Sequence, residues 1–173
     1  RDHLALEQPE TRALHRVALR VRPHAAVDCH EFEGKRYAER GWAPWPRITM
    51  DSLNNPLFDP ALAAIGRRWV DEAGEAAEAA GHPFYRYWVG GLPPHDELRH
   101  SAPDIDSAMN SLGMHGGLSF ILESSRDRGR ETSEESLRRR VGAYRAVLRH
   151  LLDALAYRDA DRLAVESSWG LPR

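Results

Sequence analysis

Cysteine is almost missing from this sequence. Cys29 is the only one, so no internal disulfide can form and packing alone must hold the fold. Lysine is as scarce, Lys35 being the only one among 24 basic residues, a bias that reports base composition more than function. No apolar run approaches the roughly 20 residues of a transmembrane helix, so no membrane span is expected. Charge of one sign is lacking too. The net charge of −2 gives no whole-chain case for nucleic acid or an anionic membrane as partner. There is no internal repeat and no low-complexity segment. No phosphate-binding loop is present, because Gly113-Met114-His115-Gly116-Gly117 precedes an apolar run instead of opening a helix. Ser124-Ser125 lacks the G-x-S-x-G setting of a hydrolase nucleophile. An initiating Met is absent as well. The expectation is therefore that the true N-terminus lies upstream of Arg1, and periplasmic, secreted and cytoplasmic locations all stay open.

What is present suits one globular α/β domain: 173 residues, 42% hydrophobic and 29% charged. Pro9 to Arg20 reads as a helix with Leu14, Val17, Ala18 and Val21 on one face, stopped by Pro23. Ala25-Ala26-Val27 then leads as a strand into Asp28-Cys29-His30-Glu31-Phe32-Glu33. Gly34 to Phe58 has no clear period and is expected to be a loop forming a rim over a site. Asp59-Pro60 reads as a helix start, followed by Leu62, Ile65, Trp69 and Ala73 on one face and Gly81 as the stop. Phe84 to Val89 carries a strand signal. Leu92 to Gly117 is loop-rich, and Leu118 to Glu123 is a second strand. Thr132 and Glu135 suggest a capping box, after which Leu137, Val141, Tyr144, Leu148, Leu151 and Leu155 form one apolar stripe, with Arg138, Arg139 and Arg140 on the solvated side. Residues 157–173 are expected as a peripheral tail.

The chemistry concentrates at two strand ends. His30 closes the first strand amid carboxylates, and Asp28, two residues back, shares its face. Such an imidazole can bind metal, transfer protons or hold structure through hydrogen bonds. Metal-bound histidines usually carry a carboxylate or carbonyl partner. His-Glu-x-x-His is excluded because position 34 is Gly. Glu123 closes the second strand, where it can be a solvated carboxylate paired to a nearby Arg or a rigidly held general base. Cys29, on the opposite face from His30, is expected to be a buried and inert thiol. The aromatics Trp42, Trp45, Phe84, Tyr85, Tyr87 and Trp88 lack an accompanying basic groove, which favours packing or pocket lining over base stacking.

Asp28-Cys29-His30 ending one strand, and Phe120-Ile121-Leu122-Glu123 ending another before Arg126-Asp127-Arg128-Gly129-Arg130, resemble the zinc carboxypeptidases of the carboxypeptidase A type, the funnelins. The resemblance covers roughly the C-terminal half of such a catalytic domain and most of this chain (1–173, a single domain). It implies a three-layer α/β/α fold with a mixed, mostly parallel sheet. It also implies one zinc ion per intact domain, with His30 as a metal ligand and Glu123 as the general base. Arg1-Asp2 resembles the end of the family's Asn-Arg pair, whose Arg grips the substrate's terminal carboxylate. Ile105-Asp106 resembles the specificity-pocket segment, where an Ile would favour apolar or aromatic side chains.

The resemblance thus implies a metallocarboxypeptidase acting on a peptide or amino-acid conjugate with a free carboxylate. In the family a separate His-x-x-Glu segment supplies the first two zinc ligands; by the resemblance that segment is expected upstream of Arg1, and no Tyr lies between Tyr87 and Glu123. His3 and His115 lack ligand spacing to His30. This chain alone is therefore expected to be inactive. Two rivals share the pattern: an N-acyl amino acid deacylase of the same fold, and a non-catalytic domain that holds peptide C-termini.

Overall fold

The computed structural model describes residues 2–33, 46–90, 97–126 and 134–169. Helix α1 (Pro9–Val21) begins with Pro9 in its first turn, where no backbone N–H is needed, and ends at Arg22 in the left-handed conformation (φ 49°). Strand β1 (Ala25–Glu33) follows, then β2 (Ile48–Ser52) and helix α2 (Pro60–Ala79). Asp59 caps α2 by accepting from Ala61 N–H at 2.7 Å, and Gly81 takes a positive φ of 83° just past its end. Next come β3 (Phe84–Arg86), β4 (Val89–Gly90), β5 (Leu98–Arg99) and the short helix α3 (Ala108–Gly113). Strand β6 (Leu118–Arg126), helix α4 (Glu134–Tyr157) and helix α5 (Asp159–Ser168) complete the described chain.

Four strands form a mixed sheet in the order β1-β6-β2-β3. β1 runs parallel to β6 and β3 parallel to β2, while β2 and β6 are antiparallel. β4 and β5 make a separate antiparallel pair. Period-2 alternation sends Leu118, Phe120 and Leu122 of β6, with Ile48 and Met50 of β2, to one face. There they meet Leu62, Ile65, Trp69 and Val70 of α2, Val147 and Leu151 of α4, and Val165 of α5 in one core cluster. Trp69 stacks on Phe120 with ring centroids 6.3 Å apart and planes 7° from parallel. The opposite face is covered by α3, and α1 meets α3 where His15 contacts Ser111 and His115. The fold is thus α/β, with helices on both faces of a mixed, mostly parallel sheet.

Several expectations change. The stretch from Gly34 to Phe58 is not one loop. Residues 34–45 lie outside the described ones, and Ile48–Ser52 is a central strand buried on both faces. The Phe84–Val89 strand divides into β3 and β4. Residues after Tyr157 do not stay peripheral, because α5 carries Val165 and Asp161 into the interior. The buried side of α4 is Ser136, Ala143, Val147, Leu151 and Ala154, one step around the helix from the expected stripe, and Leu137 and Val141 are exposed. Arg140 is not simply solvated, because it pairs with Glu31 of β1. On α1 the buried residues are His15 and Ala18, whereas Leu14, Val17 and Val21 are exposed. Cys29 is exposed rather than buried. The expected capping residue Thr132 and the run 127–130 lie outside the described residues.

Candidate active site

Because β1 and β6 are parallel neighbours, their register decides what stands side by side. His30 is the register partner of Glu123. On the other side of Glu123 stands Thr49 of β2, itself aligned with Tyr85 of β3. One row across the sheet therefore reads His30, Glu123, Thr49, Tyr85. The row one step earlier on the same face reads Asp28, Ile121, Asp51. The two side chains singled out from sequence are thus brought together on one face of adjacent strands.

The surroundings give each a defined state. His30 is half-exposed, and its Nε2 lies 2.8 Å from Asp28 Oδ2. That pairing orients the ring and engages Nε2, leaving Nδ1 as the nitrogen that Asp28 does not hold. Burial pushes the Glu123 carboxyl above its ordinary range, nearby His30 draws it back, and the Asp28 charge adds to the rise. The backbone of His30 is held in turn, since Tyr144 of α4 donates its hydroxyl to the His30 carbonyl and accepts from Ser124 N–H at 3.2 Å.

A cleft of about 390 Å³ opens beside this row. Asp28 and Ile121 line it together with Arg99, Asp104, Asp106 and Met109. Asp106 is positioned by its own N–H, which donates to Asp104 Oδ1 at 3.1 Å. Ile105 is not among the lining residues; Val89, Met109 and Ile121 give the cleft its apolar wall, beside the carboxylates of Asp28, Asp104 and Asp106. Arg1 lies outside the described residues. Its neighbour Asp2 is fixed, accepting from the N–H groups of Glu7 at 3.0 Å and Gln8 at 2.8 Å ahead of α1.

Thr49 and Arg99 escaped the sequence reading, and Tyr85 entered it only among the aromatics expected to pack or line a pocket. The only local signal for β2 was the β-branched pair Ile48-Thr49 between Pro46 and Asn54. Among the described residues no group of three His, Cys, Asp or Glu side chains could hold a metal ion. At this row the described residues offer the His30 imidazole with Asp28 beside it, fewer than the three protein ligands of a catalytic zinc site. His3 and His115 are engaged elsewhere, both with His15, at 3.0 and 2.9 Å.

In comparisons with known proteins, the chain is similar to "Carboxypeptidase 2" of Trichophyton tonsurans and to "Carboxypeptidase 2" of Trichophyton equinum. Each is 26% identical over 150 residues, covering 82% of this chain. The chain spans 27% of the length of these curated relatives. No family model and no solved structure matches it. The similarity points to a carboxypeptidase-like protein.

Proposed function

We propose that this chain is the C-terminal part of a zinc-dependent metallocarboxypeptidase catalytic domain. The observation that carries the reading is the side-by-side placement of His30 and Glu123, with Asp28 on the imidazole. His30 would supply one zinc ligand through the nitrogen that Asp28 does not engage. Two further ligands would come from a segment upstream of Arg1 carrying His-x-x-Glu. A zinc ion held there would polarise the scissile carbonyl and acidify its bound water.

The remaining work falls to this chain's own groups. A Glu123 carboxylate whose pKa is raised by burial accepts a proton from water at its carboxylate oxygen and returns it to the departing amine. Arg1, by resemblance, grips the free carboxylate of the peptide or amino-acid conjugate, a role suited to a planar, permanently charged guanidinium. The cleft beside the row receives the terminal side chain. Its carboxylates, Asp28, Asp104 and Asp106, outnumber its one guanidinium, Arg99, and so favour a cationic side chain.

The test is Glu123→Gln in a polypeptide extended upstream to include His-x-x-Glu. Peptide hydrolysis should fall by about 10²–10⁴-fold, while zinc content is unchanged. Retention of full turnover in that variant would remove Glu123 from the chemistry.

A further inference from the structure

Helix α1 brings little apolar surface to the rest of the molecule. Its buried residues are His15 and Ala18, while Leu14, Val17 and Val21 are exposed. A helix of 13 residues is marginal in water on its own, so what docks it decides whether it stays formed. His15 supplies that docking as the centre of a chain of three imidazoles. Its Nε2 lies 3.0 Å from His3 Nδ1, and its Nδ1 lies 2.9 Å from His115 Nε2. The chain ties the N-terminal segment, α1 and the turn after α3 together. Ser111 of α3 adds its hydroxyl, 3.3 Å from His15 Nε2 and 3.4 Å from the His3 carbonyl.

Counting protons shows what such a chain does in acid. An N–H···N bond holds one proton between its two nitrogens. Three neutral rings carry three protons, two in the shared bonds and one on an outer nitrogen. A fourth can sit on the other outer nitrogen with both bonds kept. A fifth has to enter a shared bond and set N–H against N–H. The intact chain therefore carries at most one positive charge, whereas three separated rings carry three. Carboxylates facing the chain do not lift this limit. Burial, then His15, hold the His3 ring below the ordinary histidine range, although Asp28 of β1 and Asp106 ahead of α3 pull it back up. Burial, then His15, do the same to His115.

We propose that His3, His15 and His115 form an acid-opened latch that fastens α1 and the N-terminal segment to α3. The open form takes up two more protons than the closed form can hold. Closure is therefore favoured above the ordinary histidine pKa of about 6.5, and the open-to-closed ratio rises about 100-fold per pH unit below it. Ala108 and Met109 of α3 line the cleft of about 390 Å³, so the latch braces the helix that forms one of its walls. It is a property of this chain and does not depend on the hydrolase reading.

The test is amide hydrogen exchange of this chain, followed by NMR from roughly pH 7.5 to 4.5, the range in which histidines titrate. Protection within α1 should fall about 100-fold per pH unit below the ordinary histidine pKa. The reference is the Leu53 N–H, which donates to Ser119 C=O at 3.0 Å in the body of the fold and should keep its protection. His3→Gln and His115→Gln each remove one titrating ring from a half-buried position, and each should reduce the slope to about tenfold per pH unit. Two variants at separate ends of the chain keep the test open if one disturbs the fold. Protection in α1 that does not change with pH, a fall shared equally by Leu53, a fall only below about pH 4 where carboxylates titrate, or an unchanged slope in both variants would overturn the proposal.

Discussion

His30 and Glu123 are register partners on adjacent parallel strands, so their juxtaposition is made by the backbone ladder and not by flexible loops. Catalytic geometry built on strands is held more tightly than geometry built on loops. The same rigidity makes Glu123 an ionisable group kept partly away from water, and that has a measurable cost.

For Glu123 the folded-state pKa lies above the unfolded value of about 4.3. Stability from this group is complete below that pH and is lost as pH rises through the folded pKa. Glu123→Gln should therefore raise the melting temperature of the chain at pH 7, with the gain vanishing near pH 4. Thermal unfolding at both pH values reads it, and a variant less stable at pH 7 contradicts the assignment.

Asp161 behaves in the opposite sense. Burial pushes its carboxyl up, but hydrogen bonds from Arg68 at 2.5 Å and Trp69 Nε1 at 2.8 Å outweigh burial and hold it below the ordinary range. Its contribution is present above the unfolded pKa of about 3.9 and is lost as pH falls through the folded value. Asp161→Ala should destabilise by about 1–3 kcal/mol at pH 7, since it leaves the buried Trp69 N–H unmatched. The difference from wild type should shrink in acid, as measured by urea unfolding.

Gly74 sits in α2, where alanine is intrinsically the better helix former. A Cβ at this position would lie 2.5 Å from the Phe84 ring, the contact that seats β3 on the helix. Gly74→Ala should thus cost about 1–3 kcal/mol, against its propensity. Combining it with Phe84→Leu should recover part of the loss in a double-mutant cycle.

The acidic cleft predicts selectivity. In the upstream-extended polypeptide, Asp106→Asn should lower kcat/KM for peptides ending in Lys or Arg about tenfold relative to those ending in Leu, the loss of one close charge partner. Parallel assays on the two peptide classes check it. A uniform change for both classes would place Asp106 outside side-chain recognition.

The sequence exposed His30 and Glu123 because each breaks an apolar run abruptly with ionisable residues, but neither closes its strand as expected: β1 runs on to Glu33 and β6 to Arg126, because the two strands keep pairing past that row. It hid β2 because Ile48–Ser52 is short and buried on both faces, so polar Thr49 and Asp51 masked the alternation. The face of α4 was misplaced for a related reason. Leucines and valines dominate any periodicity count, but α2 packs on α4 and both bury alanines there, Ala73 and Ala77 with Ala143 and Ala154. Close approach of two helices favours small side chains, which carry little weight in a hydrophobic pattern. Arg140 looked solvated because its partner, Glu31, lies far away in sequence. Likewise the cleft could not be read as acidic, because Asp28 comes from a strand and Asp104 and Asp106 from a distant turn.

The ladder between β1 and β6 starts where Leu118 N–H meets His24 C=O at 2.9 Å. Side chains along a strand alternate faces, so one residue gained or lost between that point and Glu123 would turn its carboxylate into the core and bring Leu122 or Ser124 to the face it now occupies beside His30. A point substitution in this stretch leaves that orientation intact, whatever it costs in core packing, but a change of length does not. The number of residues from Leu118 to Glu123, more than their identity, thus decides which way the Glu123 carboxylate faces.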